Sequence, residues 1–144
     1  MTVPDGRPPA AEFWAGLADR DVAAAFSVVA DDAEVTIIPA GVVGTSDAGR
    51  RFFEDTVSAF PDVEFFVKNS FTGTDGVTVT EVSMEGTQAG DYLGVINQEK
   101  HIDVDQVWLV HDDGNQVRSI TGYWCQNQLY RRLAVKRLDQ VAII

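Results

Sequence analysis

The chain has 144 residues, 45% of them hydrophobic, and a net charge of −11 with only one cysteine, Cys125. That apolar content builds one core and not two. The acidic balance repels phosphate backbones, so nucleic acid is not an expected partner. A lone cysteine excludes a disulfide framework and any cysteine-rich metal site. His101 and His111 have no ligand-spaced companions, so the sequence predicts neither metal nor cofactor. No apolar run approaches the ~20 residues of a membrane span. The stretch Met1-Thr2-Val3-Pro4-Asp5-Gly6-Arg7-Pro8-Pro9 lacks an apolar signal core, which points to a cytoplasmic protein.

Residues 1–9 read as a flexible lead. Phe13, Trp14 and Leu17 then form an apolar stripe at helical spacing. After a break at Asp19-Arg20-Asp21, Val22, Phe26 and Val29 form a second stripe, with Asp21 as N-cap and Asp31-Asp32 as the end. Ala33 to Pro39 reads as a short strand carrying Val35, Ile37 and Ile38, and Gly41 to Gly44 as a turn. Thr45 or Ser46 caps a third helix with a buried stripe of Phe53, Val57 and Phe60, stopped by Pro61. Arg50 and Arg51 form its solvated face.

Beyond Pro61 the period becomes strand-like. Strands are expected near 62–71, 76–88, 99–111 and 116–126. Thr72-Gly73-Thr74-Asp75-Gly76 and His111-Asp112-Asp113-Gly114-Asn115 read as hairpin turns, and Ala89 to Gln98 as a longer connection. Leu129, Leu133 and Leu138 suggest a closing helix or irregular tail, and 136–144 reads as a C-terminal tail ending in apolar Val141-Ala142-Ile143-Ile144. Helices followed by a long meander predict one α+β domain over 10–135. In it, N-terminal helices pack on a strongly curved antiparallel sheet that forms a cone with an internal pocket. Long strands bend, and the hollow left at the wide end is a common place for a small ligand.

Several segments resemble the SnoaL-like, polyketide cyclase branch of the nuclear transport factor two-like superfamily. Asp31-Asp32-Ala33-Glu34-Val35 is similar to its helix-to-first-strand junction, and Ala59-Phe60-Pro61-Asp62-Val63 to its helix-to-second-strand junction. Gly86-Thr87-Gln88-Ala89-Gly90-Asp91-Tyr92-Leu93-Gly94 resembles its "GTHxGxxxG" segment. Asp113-Gly114, Trp124 and Leu129-Tyr130-Arg131-Arg132-Leu133 resemble its final hairpin and tail. The resemblance spans about residues 10–135 and implies the conical fold, a homodimer formed through the outer sheet face, and one of several chemistries.

Those chemistries transfer poorly. The base of the ketosteroid isomerases falls at Ile37, or at Ile38 allowing a slip. Their first-helix tyrosine falls at Phe13, beside Trp14. Only their penultimate-strand acid has a counterpart, near Asp105. The last-strand acid of the aldol-type cyclases falls near Gly122. A general base must be titratable and within reach, so both mechanisms are disfavoured.

The remaining acids suggest a relocated pair. Asp103 and Asp105 share parity with Val107 and Leu109, and Glu81, Ser83 and Glu85 share one face of the preceding strand. With those faces inward, Asp105 converges with Glu81 or Glu85, and Asp105 and Glu81 are the catalytic candidates, a carboxyl so placed having its pKa raised by burial and by its like-charged neighbour. The expected lining is Phe13, Trp14, Ile37, Phe53, Glu85, Asp103, Val107, Tyr123, Trp124 and Asn127. Tyr123 and Trp124 have opposite parity, so one of them should face the pocket. Against these stand blander roles: aromatic residues as core, Asp103 and Glu85 as solvated strand ends, His101 as surface, Cys125 as a small buried residue. Val82, Met84, Trp108 and Val110 would then form an apolar outer face seeking a partner.

The expected function is a small cyclase folding an apolar, polyketide-like substrate for ring closure, such as a Diels–Alder cycloaddition assisted by an acid. The alternatives are an acid–base isomerase or hydrolase using Asp105 and Glu81, and a non-catalytic ligand-binding dimer.

Overall fold

The computed structural model describes residues 7–135. Pro8 and Pro9 open α1 (Pro9–Ala18), where a missing proline N–H costs nothing. Asp112, from the far end of the sheet, accepts the free Ala10 N–H at 3.3 Å. The Asp21 side chain accepts from Ala24 N and caps α2 (Val22–Phe26), as its position predicts. The chain then runs through β1 (Val29–Ile37), a 3-10 turn (Ile38–Ala40) and β2 (Val42–Gly44) into α3 (Ser46–Ala59). The meander follows as β3 (Glu64–Thr72), β4 (Val77–Thr87), β5 (His101–Asp112) and β6 (Val117–Trp124), closed by α4 (Gln126–Arg132). Leu138 and Val141–Ile144 lie outside the described residues.

The six strands form one sheet in the order β2-β1-β6-β5-β4-β3. It is mixed rather than wholly antiparallel, because β1 and β6 run parallel. The chain leaves β1, crosses over α3 to the opposite edge at β3, and meanders back until β6 meets β1. Register shifts between Val67 and Asn69 and between His111 and Asp112 mark bulges, which bend a sheet. Asp31 and Asp32 do not end a helix. They are exposed residues of β1, since α2 stops at Phe26 and Val29 already pairs with Val117.

The expected facing of the two central strands is reversed. Ile102, Val104, Gln106, Trp108 and Val110 of β5 point inward, as do Thr80, Val82 and Met84 of β4. Val82, Met84, Trp108 and Val110 are therefore core and not an outer face. Glu81, Glu85, Asp103 and Asp105 lie on the outer face with Val107 and Leu109. Energetics decide between the two parities. Burying each large apolar side chain stabilises by about 2–3 kcal/mol, whereas burying unpaired carboxylates costs several kcal/mol each.

Trp108 is fully buried at the centre of the inner face, directly opposite Gly122 of β6. A Cβ on Gly122 would lie 2.4 Å from Trp108 Cζ3. Glycine is thus required there by contact. Overpacking of this kind typically costs about 1–3 kcal/mol. Gly122→Ala is expected to lower the unfolding free energy by that amount. Combining it with Trp108→Leu should cost less than the two single changes added together, measured by a double-mutant cycle in urea.

Candidate functional site

The interior of the cone is an aromatic cluster. Phe13 from α1 lies 5.4 Å from Trp14, 5.5 Å from Phe26 and 5.8 Å from Phe53, all edge-on. Phe53 lies 5.2 Å from Trp108, and Trp108 lies 6.2 Å from Trp14 and 6.3 Å from Trp124. Phe52 stacks on Trp124 at 5.9 Å, with 28° between the planes. Edge-on and offset pairs add stabilisation beyond area burial. Of the expected lining residues, the fold brings together Phe13, Trp14, Ile37, Phe53 and Trp124 against this one core.

The other expected lining residues are elsewhere. Val107, Asp103 and Glu85 are on the outer face, Tyr123 is 45% exposed there, and Asn127 is exposed on α4. Of the Tyr123–Trp124 pair, Trp124 faces inward. Cys125, expected to be buried, is exposed. Glu85 instead borders a shallow outer cleft of about 130 Å³ with Asp62, Glu64, Phe66, Gly86 and His101.

Asp105 and Glu81 do not converge in a buried hollow. The Asp105 side chain is 62% exposed and receives Lys68 Nζ at 2.9 Å. Gln128 adds a bond from Nε2 to the second carboxylate oxygen at 3.1 Å. Hydrogen bonds from Lys68 and then Gln128 hold the Asp105 carboxyl below its ordinary value, opposite to the rise that burial would cause. Asp103 is paired in the same way with Arg132 Nε at 2.7 Å. Both acids are ion-paired, exposed groups on the outer face of the sheet.

The polar groups that do lie inside are neutral. Gln106, missed by the sequence reading, sits on the inner face of β5. It accepts from Trp108 Nε1 at 3.0 Å and directs its amide toward Met84 Sδ at 3.4 Å. Its signal was available: it is the one polar residue in the set Ile102, Val104, Gln106, Trp108, Val110. Trp124 Nε1 donates to Gln126 Oε1 at 2.8 Å. Tyr92 is buried, shares a 2.9 Å hydrogen bond with Thr56 Oγ1, and has its phenol pushed well above its ordinary value by desolvation.

Two adjoining cavities open where α3 meets the connection between β4 and β5. The first, about 330 Å³, is lined by Phe52, Asp55, Ser58, Ala59, Gly90, Asp91, Tyr92 and Leu93. The second, about 270 Å³, is lined by Val42, Ala48, Arg51, Phe52, Asp55 and Leu93. Leu93 stands between them in a tight turn closed by paired hydrogen bonds between Tyr92 and Val95. Its φ of 47° is a left-handed conformation that leucine rarely adopts, with Gly94 at 80° beside it. Leu93 packs against both core clusters, and that contact offsets the strain. The same connection fixes Asn97 N on Asp91 and buries Gln88. Among the described residues, no group of three metal-ligating side chains converges and no helix is long and apolar enough to cross a membrane.

The sequence profile of the SnoaL-like polyketide cyclase family matches residues 9–133, and the chain belongs to that family. No curated protein sequence matches it. Solved structures share its fold at low identity. AclR from Streptomyces galilaeus, described as a candidate hydroxylase, is 17% identical with a TM-score of 0.76, covering 88% of this chain and 82% of that one. IdmH from Streptomyces antibioticus, described as a candidate polyketide cyclase, is 15% identical with a TM-score of 0.74, covering 88% and 96%. A protein of ketosteroid isomerase-like fold from Catenulispora acidiphila, solved with trimethylamine, is 12% identical with a TM-score of 0.75, covering 99% and 100%.

The Asp105 pairing has a pH signature. Its folded-state pKa lies below that of the unfolded chain, so the pair stabilises the fold above the ordinary carboxylate value. That contribution is lost as pH falls through the folded value. Carboxyl NMR titration should place Asp105 below 3.8. Lys68→Met should raise it toward the ordinary value, since Lys68 is the largest cause of the shift.

Proposed function

We propose that the protein is a small cyclase that folds an apolar, polyketide-like substrate against its aromatic interior and promotes ring closure. The observation that carries this reading is the composition of the inner face. Within a fold of the SnoaL-like cyclase family, the inward residues of β4 and β5 between Thr80 and Met84 and between Ile102 and Val110 are apolar or neutral. Gly122 and Ile37, where related enzymes are expected to hold bases, are here a glycine and an isoleucine packed in the core.

Such an interior suits a reaction that depends on shape, of which a Diels–Alder cycloaddition is the plainest example. Holding two reacting ends in a near-attack geometry supplies several kcal/mol without any proton transfer. Neutral donors that point at a developing charge supply more. The competing reading, an acid–base isomerase or hydrolase, requires Asp105 and Glu81 to reach the substrate from the outer face.

Incubation of the purified protein with a linear polyene-type precursor tests the proposal. Ring closure is expected to exceed the protein-free rate, with a flat profile between about pH 6 and 8 and less than threefold loss in Asp105→Asn. Closure no faster than the background removes the cyclase reading for that substrate. A near-total loss in Asp105→Asn favours the acid–base reading.

The outer face supports a homodimer as part of the same proposal. Phe66 and Phe71 are 46% and 59% exposed, and Tyr123 shares their face with Val79, Val107 and Leu109. The Lys68–Asp105 and Arg132–Asp103 pairs place both signs of charge on the face, which suits a self-complementary contact about a twofold axis. Light scattering at micromolar concentration should report a dimer, and Phe71→Glu with Tyr123→Glu should give a folded monomer. A wild-type monomer would remove this part.

A further inference from the structure

Three indoles share the interior, and two of them have acceptors. Trp108 Nε1 donates to Gln106 and Trp124 Nε1 to Gln126. Trp14 Nε1 is buried and has no hydrogen-bond partner. A buried donor without an acceptor costs about 1–3 kcal/mol, and nearly all such groups in folded proteins find a partner. Among the described residues it is the one buried side-chain nitrogen or oxygen left in this state.

The surroundings favour a carbon-rich partner carrying one acceptor. Trp14 is flanked by the rings of Phe13, Phe65 and Trp108 at 5.4, 6.2 and 6.2 Å. The residue itself is only half-buried. Beside it the edge strand is incompletely covered: Val67 has the parity of the inner face, opposite core residue Val82, and is yet 51% exposed. Trp14 keeps part of its surface exposed, and its ring meets Phe65 two residues from Val67 on the same strand.

We infer that Trp14 is a ligand-binding residue whose indole N–H donates a hydrogen bond to a carbonyl oxygen of an apolar, ring-forming ligand. This inference rests on the reading of the interior as an apolar ligand site and adds the group that selects among ligands. It assigns to a neutral donor the polarising role expected above of a carboxylate. The specificity has a physical basis, because a site with a buried donor rejects an analogue lacking the acceptor.

The test compares 1-tetralone with tetralin, bicyclic probes of the same shape that differ in one carbonyl. By calorimetry, Trp14→Phe should weaken 1-tetralone about tenfold and leave tetralin within twofold. Trp108→Phe, which shortens an indole whose N–H is already paired, should affect the two probes alike. On the wild-type protein, ¹⁵N spectra should show the Trp14 indole N–H moving downfield with 1-tetralone and not with tetralin, which keeps the test valid if Trp14→Phe fails to fold. Equal losses for both probes, or equal indole shifts, overturn the inference while leaving an apolar site in place. Failure of the wild type to bind either probe overturns both.

Discussion

The indole of Trp108 packs directly against Gly122, and most of the interior is arranged around that contact. A side chain at residue 122 would collide with the ring at 2.4 Å, so β6 must offer bare backbone where β5 offers its largest side chain. Once seated, the ring touches Trp14 from α1, Phe52 and Phe53 from α3 and Trp124 from the end of β6. It thus ties the helices to the sheet. Its N–H would be a costly orphan without Gln106 two residues earlier on the same strand face. Gln106 supplies the acceptor that this indole needs.

This arrangement accounts for the character of the candidate site. An interior filled by rings and closed by amides has few charges to offer a substrate. What it offers is shape, polarisable walls and neutral donors. The carboxylates sought as bases lie on the opposite face, exposed, where Lys68 pairs with Asp105 and Arg132 with Asp103. The same parity that removes them from the interior gives the outer face its charged margin around Val107, Leu109 and Tyr123. One choice of facing therefore shapes both the candidate ligand site and the candidate contact with a second copy.

The cavities beside α3 lie at the other end of the aromatic chain. Phe52 lines both and stacks on Trp124, so the groove is continuous with the interior through a ring rather than through a channel. Leu93 is held over them in a backbone conformation that suits glycine, and its packing against both core clusters is what keeps it there. A connection of this kind combines local strain with good packing, and both come from the Tyr92–Val95 turn.

Much of the architecture was legible in the sequence. The order of helices and strands apart from β2, which reads as a turn, the Asp21 cap, the α3 stripe through Phe53 and Phe60, and the family resemblance follow from spacing and local chemistry. The facing of β4 and β5 was not, because both alternating sets of β5 contain apolar residues. Asp103, Asp105, Val107 and Leu109 read as a plausible inner face until Trp108 is seen to need the core. The parallel pairing of β1 with β6 joins segments some ninety residues apart, and no local pattern records it. Nor does any spacing show that two indoles find glutamines while Trp14 finds none. The sequence by itself determined the elements, the family and the neutral chemistry at Ile37 and Gly122, because these depend on residue identity and near neighbours. The tertiary structure alone decided which carboxylates are paired outside and which N–H is unpaired within, because both depend on what the opposite element brings into contact.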